Sequence, residues 1–279
     1  MGVRAVRRAI ASRLVTIVAV LVGALMLAPV VWVLVTTVMP ANQRFDLPPH
    51  WVPSSLHFGA FGKVFDLIPF GRMFLNSLKI TAIITVGSLL TSVLAAYAFA
   101  RLEFKGRDVL FLFFLAGLMV PQQITVLPVF IGMRELGLVD SHAAVFLPGL
   151  VSALGIFLLR QYFVGIPREL DDAARIDGAG HLTILFRIIV PLAAPAITAL
   201  GIFQFQLYWN DFFWPNVFLS STDKLTLPLG LVALQGTQGG TEPVVVFAGI
   251  ALVVAPLLLL FLVFQRQLVE SIATAGLKG

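Results

Sequence analysis

Long apolar runs separated by short charged clusters make up most of the chain, and six of these runs reach the length of a membrane-crossing helix. With Lys, Arg, Asp and Glu taken as barriers, the qualifying intervals are Leu14 to Gln43, Ile80 to Ala100, Val109 to Met133, Ser141 to Leu159, Ile188 to Asn210 and Pro243 to Gln265. A spanning helix needs about 20 apolar residues, at ~1.5 Å each, to cross ~30 Å of hydrocarbon. The expected spans are therefore 14–39, 80–100, 109–133, 141–161, 188–210 and 243–265. A seventh stretch, Leu225 to Thr241, lacks charge but is short and rich in Gly, Thr and Gln. It is expected outside the lipid, as a re-entrant or surface segment. The predicted fold class is an all-α integral membrane protein with six transmembrane helices, forming a single domain over residues 1–279. Neither long connection, about 40–76 or about 161–187, reads as a separate folded unit.

Composition supports lipid as the solvent. Of 279 residues, 59% are hydrophobic and only 12% charged, with a mean hydropathy of +0.98, whereas soluble domains carry about 25% charged residues. The net charge of +5 fits cytoplasmic loops and anionic headgroups, and no interleaved basic and aromatic stripe suggests nucleic acid. The chain has no cysteine, which excludes disulfides, thiol catalysis and thiolate metal sites. Arg4, Arg7, Arg8 and Arg13 precede an apolar run that continues to Arg44. A signal peptide's apolar region is about 7–15 residues, so this run is expected to be an uncleaved first helix. With the N-terminus inside, only Arg44, Lys63, Arg72, Lys79, Arg134 and Lys224 fall outside, against the other 13 of the 19 Lys and Arg residues. The positive-inside rule then puts both termini in the cytoplasm.

The connection between the fourth and fifth spans is the most charged part of the chain. Pro167 suits a first helical position, and Glu169, Asp171 and Asp172 would follow in the first turn, where negative charge complements the helix dipole. Arg168 with Asp172, and Asp171 with Arg175, are spaced for surface pairs. Gly178 can end the helix in a left-handed conformation. Ala173 and Ala174, between Leu170 and Ile176, would let the backbone lie close to a partner, with charges fixing orientation. Spacing alone leaves two readings open: an ordinary surface helix, or a lever that docks.

This segment resembles the EAA loop of binding-protein-dependent ABC importer permeases, whose pattern is E-A-A, three residues, G, nine residues, then I-x-L-P. Here Asp172-Ala173-Ala174 precedes Gly178 by three residues, and nine more lead to Ile188-Ile189-Val190-Pro191. Asp replaces Glu and Val replaces Leu. Further stretches are similar to the carbohydrate subgroup: Asn76-Ser77, Ala95 through Arg101, Gly155 through Gln161, Trp209 through Phe212, Phe264-Gln265-Arg266 and Gly276 through Gly279. Ser271 stands where a Gly is usual. The resemblance covers about residues 10 to 279 and is nearest to the smaller permease of maltose-type transporters.

The resemblance implies a type I importer fold in which the 166–191 loop carries a cytoplasmic coupling helix. Asp172, Ala173, Ala174 and Gly178 would form the docking core, with Glu169, Arg175 and Asp177 at its edge. It implies two copies of a cytoplasmic ATPase, a second homologous permease making a heterodimer, an extracytoplasmic solute-binding protein, and a place in a bacterial-type inner membrane. The cargo would be a sugar or oligosaccharide, with another polar solute as the alternative. ATP and Mg would belong to the partner ATPase, and no cofactor to this chain. The residues agree, because a phosphate loop needs G-x-x-x-x-G-K-[ST] and the only Gly-Lys pair, Gly62-Lys63, is followed by Val64.

A path for a polar solute needs polar groups within the bundle. Gln122 and Gln123 follow Pro121 midway along the third span, with Pro128 beyond, and Gln204, Gln206 and Asn210 lie on the fifth. Proline bends a helix, and polar side chains at lipid depth face a cavity or a neighbouring helix. Gln122, Gln123, Gln204 and Asn210 are the pathway candidates; hydrogen-bonded glue between helices is the competing role. His50, His57, His142 and His181 have no metal-ligand spacing. An ATP-independent secondary transporter would place ionisable residues mid-helix, and the centres of all six intervals lack them. An integral membrane enzyme would need clustered catalytic groups at one bilayer face, and the only charged cluster is the 166–191 loop.

Overall fold

The computed structural model describes residues 2–44, 46–236 and 242–276, and side chains within 13–44, 46–236 and 242–265. The side chains of Arg4, Arg7, Arg8 and Arg266, residues 237–241 of the Leu225 to Thr241 stretch, and residues 277–279 of the terminal motif lie outside the described parts. Every regular element among the described residues is helical. Two compact units emerge, Met1–Ile68 with Leu231–Ala255, and Pro69–Gly230 with Pro256–Gly279.

In the first unit, α1 (Gly2–Val38) is apolar on all sides from Leu14 onward, and Val15, Leu25 and Met26 are each about 70% exposed or more. A helix hydrophobic all round belongs in lipid or against other helices. Among its described side chains, full burial comes at the end, at Thr36 and Thr37 with Met39 just beyond, and Thr36 turns its hydroxyl back onto the Trp32 carbonyl at 2.7 Å. The short α2 (Gly59–Leu67) carries Lys63, which meets Glu242 at 2.6 Å.

The second unit is organised around α3 (Phe70–Arg101). The charge-barrier rule starts this helix at Ile80, but it begins at Phe70 and carries Arg72 and Lys79 exposed on its first turns. Long basic side chains reach water while their stems stay with the helix, so charge does not mark a helix end. One α3 face, Met73, Ser77, Ile80, Thr81, Ile84, Ser88, Ser92, Ala96 and Tyr97, is buried at three- and four-residue steps. Its small hydroxyl residues allow backbones to approach closely.

Two of the expected spans are sharply bent, and a third, 141–161, is interrupted at 150–152 without a sharp bend. The 109–133 interval divides into α4 (Arg107–Gly117) and α5 (Gln122–Glu135), bent by 101°. Pro121 has no N–H to continue α4 and keeps Val120 out of helical geometry, so Gln122 and Gln123 open a new helix rather than sitting mid-rod. Next come α6 (His142–Gly149) and α7 (Ala153–Val164), capped by Ser141 and Ser152 hydroxyls that accept from the Ala144 and Gly155 amides. α8 (Glu169–Ile176) leads to α9 (His181–Leu192), which contains a π-helical turn at Leu185–Ile189. A 78° bend at Ala193 then gives α10 (Ala194–Trp209), with Pro195 in its first turn. Short α11 (Phe213–Phe218), ten-residue α12 (Leu227–Gly236) and α13 (Pro243–Gly276) complete the described chain. α12 is too short to cross a bilayer at ~1.5 Å per residue. Among the described residues four helical segments are individually long and apolar enough to span, with α6 and α7 taken together as one, and counting each bent pair as one span gives six.

Candidate functional site

The α8 segment is built as its sequence dictates at its C-terminal end. Gly178 takes φ +82°, its amide donates to the Arg175 carbonyl at 3.0 Å, and the Ala179 amide donates to the Ala174 carbonyl at 2.9 Å. This pair of bonds is a Schellman cap. At the other end the helix opens at Glu169, with Arg168 as cap residue and Pro167 just ahead. Glu169, Asp172, Ala173, Arg175, Asp177 and Gly178 are exposed, and Ala174 is half-buried against a core of Tyr97, Phe163 and Ile184. Ile176, an apolar side chain among charges, is 87% exposed.

The expected surface pairs of Arg168 with Asp172 and Asp171 with Arg175 give way to contacts outside the helix. Asp171 turns inward and forms an ion pair with Arg101 at 3.5 Å, the side chains being 6% and 1% exposed. Arg101 also donates to the Ile166 carbonyl at 2.7 Å, and Arg168 reaches Glu103 at 3.8 Å. Successive helical residues point ~100° apart, so Asp171 and Asp172 cannot share a face. Nothing in the Asp-Asp dipeptide itself reveals which carboxylate goes in. The available signal was Arg101, a charge placed directly against an apolar span. A polar recess of about 420 Å³ lies beside this pair, lined by Glu103, Arg168, Asp172, Arg175 and His181.

The helix breaks surround a larger cleft of about 1090 Å³. Its polar lining includes Gln122, Thr125, Ser152, Gln204, Gln206 and Asn210. Three of the four pathway candidates thus meet in one place, while Gln123 is exposed elsewhere. Gln204 is 2% exposed and accepts from Ser88, and its Nε2 has no partner. Asn210 donates to the Gln206 carbonyl at 2.8 Å, closing its own helix end. Gly155 permits this convergence, because a Cβ there would stand 2.5 Å from Ser92 Oγ and 3.1 Å from Gln204 Nε2. The break at Leu150 is satisfied by α3, where Thr91 donates to the Leu150 carbonyl at 2.6 Å. Asp211, half-buried at the end of α10, accepts from the Phe213 amide at 3.0 Å, and burial pushes its carboxyl above the usual range. Irregular backbone at membrane depth is tolerated where it is buried or lines a cavity, and discontinuous helices around a polar cleft are a solute-handling arrangement. Among the described residues no cluster of His, Asp or Glu could hold a metal ion.

Broken apolar helices around a cleft lined by amides, hydroxyls and the Asp211 carboxyl, with a capped charged helix between two spans, define a membrane transport subunit. The chain belongs to the family of binding-protein-dependent transport system inner membrane components, whose model matches residues 87–274. It is 41% identical to the arabinooligosaccharides transport system permease protein AraQ of Halalkalibacterium halodurans, over 81% of each chain. It is 32% identical to the sulfoquinovosyl glycerol transport system permease protein SmoH of Agrobacterium fabrum, over 91% of this chain and 89% of that one. Among solved structures it matches a chain of a bacterial ABC transporter that imports the acidic polysaccharide alginate. That match has a TM-score of 0.79 and 27% identity, and covers 92% of this chain and 97% of the other.

Proposed function

We propose that this chain forms half of the translocation pathway of an ATP-driven saccharide importer, with α8 as the coupling helix docked on a cytoplasmic ATPase. The observation that carries this reading is the split of α8 into two faces. Asp171 and Ala174 turn toward the chain's own helices, while Glu169, Asp172, Ala173, Arg175 and Ile176 are left outward. An outward face that mixes small, apolar and charged groups suits a groove on a partner, with charge setting orientation. ATP and Mg then reside on two ATPase copies, a second permease supplies the other half of the pathway, and an extracytoplasmic binding protein delivers the solute. Both termini and α8 lie on the cytoplasmic side, as the Lys and Arg distribution favours.

Relatives named for arabinooligosaccharides and diacetylchitobiose support a saccharide cargo. So does the cleft, where amides, hydroxyls and the Asp211 carboxyl can hydrogen-bond a hydroxyl-rich solute. Reconstitution with co-purified partners, followed by titration of candidate saccharides with the binding protein, tests the assignment. ATP hydrolysis should rise with one saccharide class. Isolation of this chain as a homodimer that moves solute without ATP would overturn the proposal.

A further inference from the structure

We infer that α3 is the rod that carries movement of α8 to the far end of the subunit, and that the Arg101–Asp171 pair pins the rod to the lever. This inference rests on the reading of α8 as a coupling helix. Asn76 and Arg101 stand ~37 Å apart along one continuous helix, and α3 is held at one end by a buried ion pair with one hydrogen bond and at the other by hydrogen bonds. At the α8 end, Arg101 meets Asp171 at 3.5 Å and the Ile166 carbonyl at 2.7 Å. At the other end, Asn76 donates to the Asp223 and Leu225 carbonyls, both at 2.9 Å. Ser77 accepts from the Leu227 amide at 2.8 Å. The loop thus held is tied in turn to the α5–α6 connection, since Asp140 accepts from the Ser220 and Ser221 amides at 3.0 Å and from Lys224 at 2.9 Å. Between the ends, Thr91 holds the Leu150 carbonyl and Ser88 donates to Gln204 at the cleft.

A buried ion pair contributes little net stability over an apolar pair of the same shape, but losing one partner strands a charge. The pair therefore makes Arg101 and Asp171 follow each other, which is the property a linkage needs. Apolar packing between α3 and the α8 region slides more readily, since it is non-directional. Coupling carried this way is a property of a rigid element biased from both ends. Arg101 and Asp171 are positioning residues: they act through α3 and touch neither solute nor nucleotide in this account.

The test uses the complete importer in proteoliposomes, carrying wild-type chain, Asp171→Asn, Arg101→Lys or Asn76→Ala, and measures solute moved per ATP hydrolysed beside the ATPase retained on purification. Arg101→Lys keeps the buried charge while removing the guanidinium that spans Asp171 and the Ile166 carbonyl. Each variant should retain its ATPase and continue hydrolysis. Solute per ATP should fall about tenfold for Asp171→Asn and less for Arg101→Lys, within the range of ordinary coupling energies. An unchanged ratio in Arg101→Lys and Asn76→Ala, or a proportional fall in transport and hydrolysis, would overturn the linkage. Absence of an ATPase from the wild-type complex would instead refute the coupling-helix reading beneath it.

Discussion

Two residues with left-handed backbone show how single positions shape the ends of the structure. Gly178, at φ +82°, has open space where a Cβ would stand. A larger side chain there meets backbone strain rather than a clash, ~1–2 kcal/mol for a non-glycine residue. Gly178→Val should leave the subunit inserted and reduce uptake strongly by distorting the α8 cap, as membrane-fraction immunoblots and solute uptake would report. Wild-type uptake would contradict a role for the cap. Asp140, at φ +58°, holds the 220–224 loop through both carboxylate oxygens. Hydrogen bonds from Ser221, then Ser220 and Lys224, hold its carboxyl well below the usual carboxylate range. A depressed folded value means that the contribution is present above the unfolded pKa, near 4, and lost only as pH falls through the lower folded value. Hydrogen exchange at the Ser220 and Ser221 amides, corrected for intrinsic rates, should be unchanged between pH 7 and pH 5 (both ~1 unit or more above that value). Asp140→Asn should accelerate it about tenfold, because the neutral amide loses the charge that strengthens both bonds to Oδ1 and sets an NH2 against Lys224 where Oδ2 accepted. The Gly178 turn was legible from its place after a capped helix, whereas Asp140 gave no local signal, its partners lying some 80 residues away.

At the scale of elements, the sequence located every apolar run but not its internal breaks. Pro121 announced a bend, yet a proline in a spanning helix is compatible with a modest kink, and the 101° turn depends on packing that supports the freed backbone. The same holds at Leu150, where neither Pro148 nor Gly149 reveals that Thr91, 59 positions earlier, receives the carbonyl. Thr91→Val keeps the shape and removes the donor. It should lower the stability of the purified complex by about 1–3 kcal/mol, the cost of a buried unsatisfied carbonyl, read as a lower thermal unfolding midpoint. No change would show that the break is supported by other groups. For the cleft, polarity within apolar runs flagged Gln122, Gln204 and Asn210, but it could not separate Gln123, which points elsewhere, or add Thr125 and Ser152, which are common in spans. The 169–178 helix was legible because its capping chemistry is local. Which of its carboxylates would turn in to Arg101 was not, because the side of a short helix that faces the bundle is decided by tertiary packing.

At the scale of the molecule, the uncovered apolar side chains of α1 and the cleft between broken helices have meaning only in a bilayer and beside other subunits. If α8 is a coupling helix, its outward face lies in the cytoplasm against an ATPase. Because the chain contains no cysteine, Ile176→Cys introduces a single reactive thiol at a site 87% exposed in the isolated subunit. Labelling this variant with a membrane-impermeant maleimide tests the claim directly. The thiol should stay unmodified in intact spheroplasts, react in inverted vesicles stripped of the ATPase, and be protected when the ATPase is restored. Modification from the outside of intact spheroplasts would contradict the account.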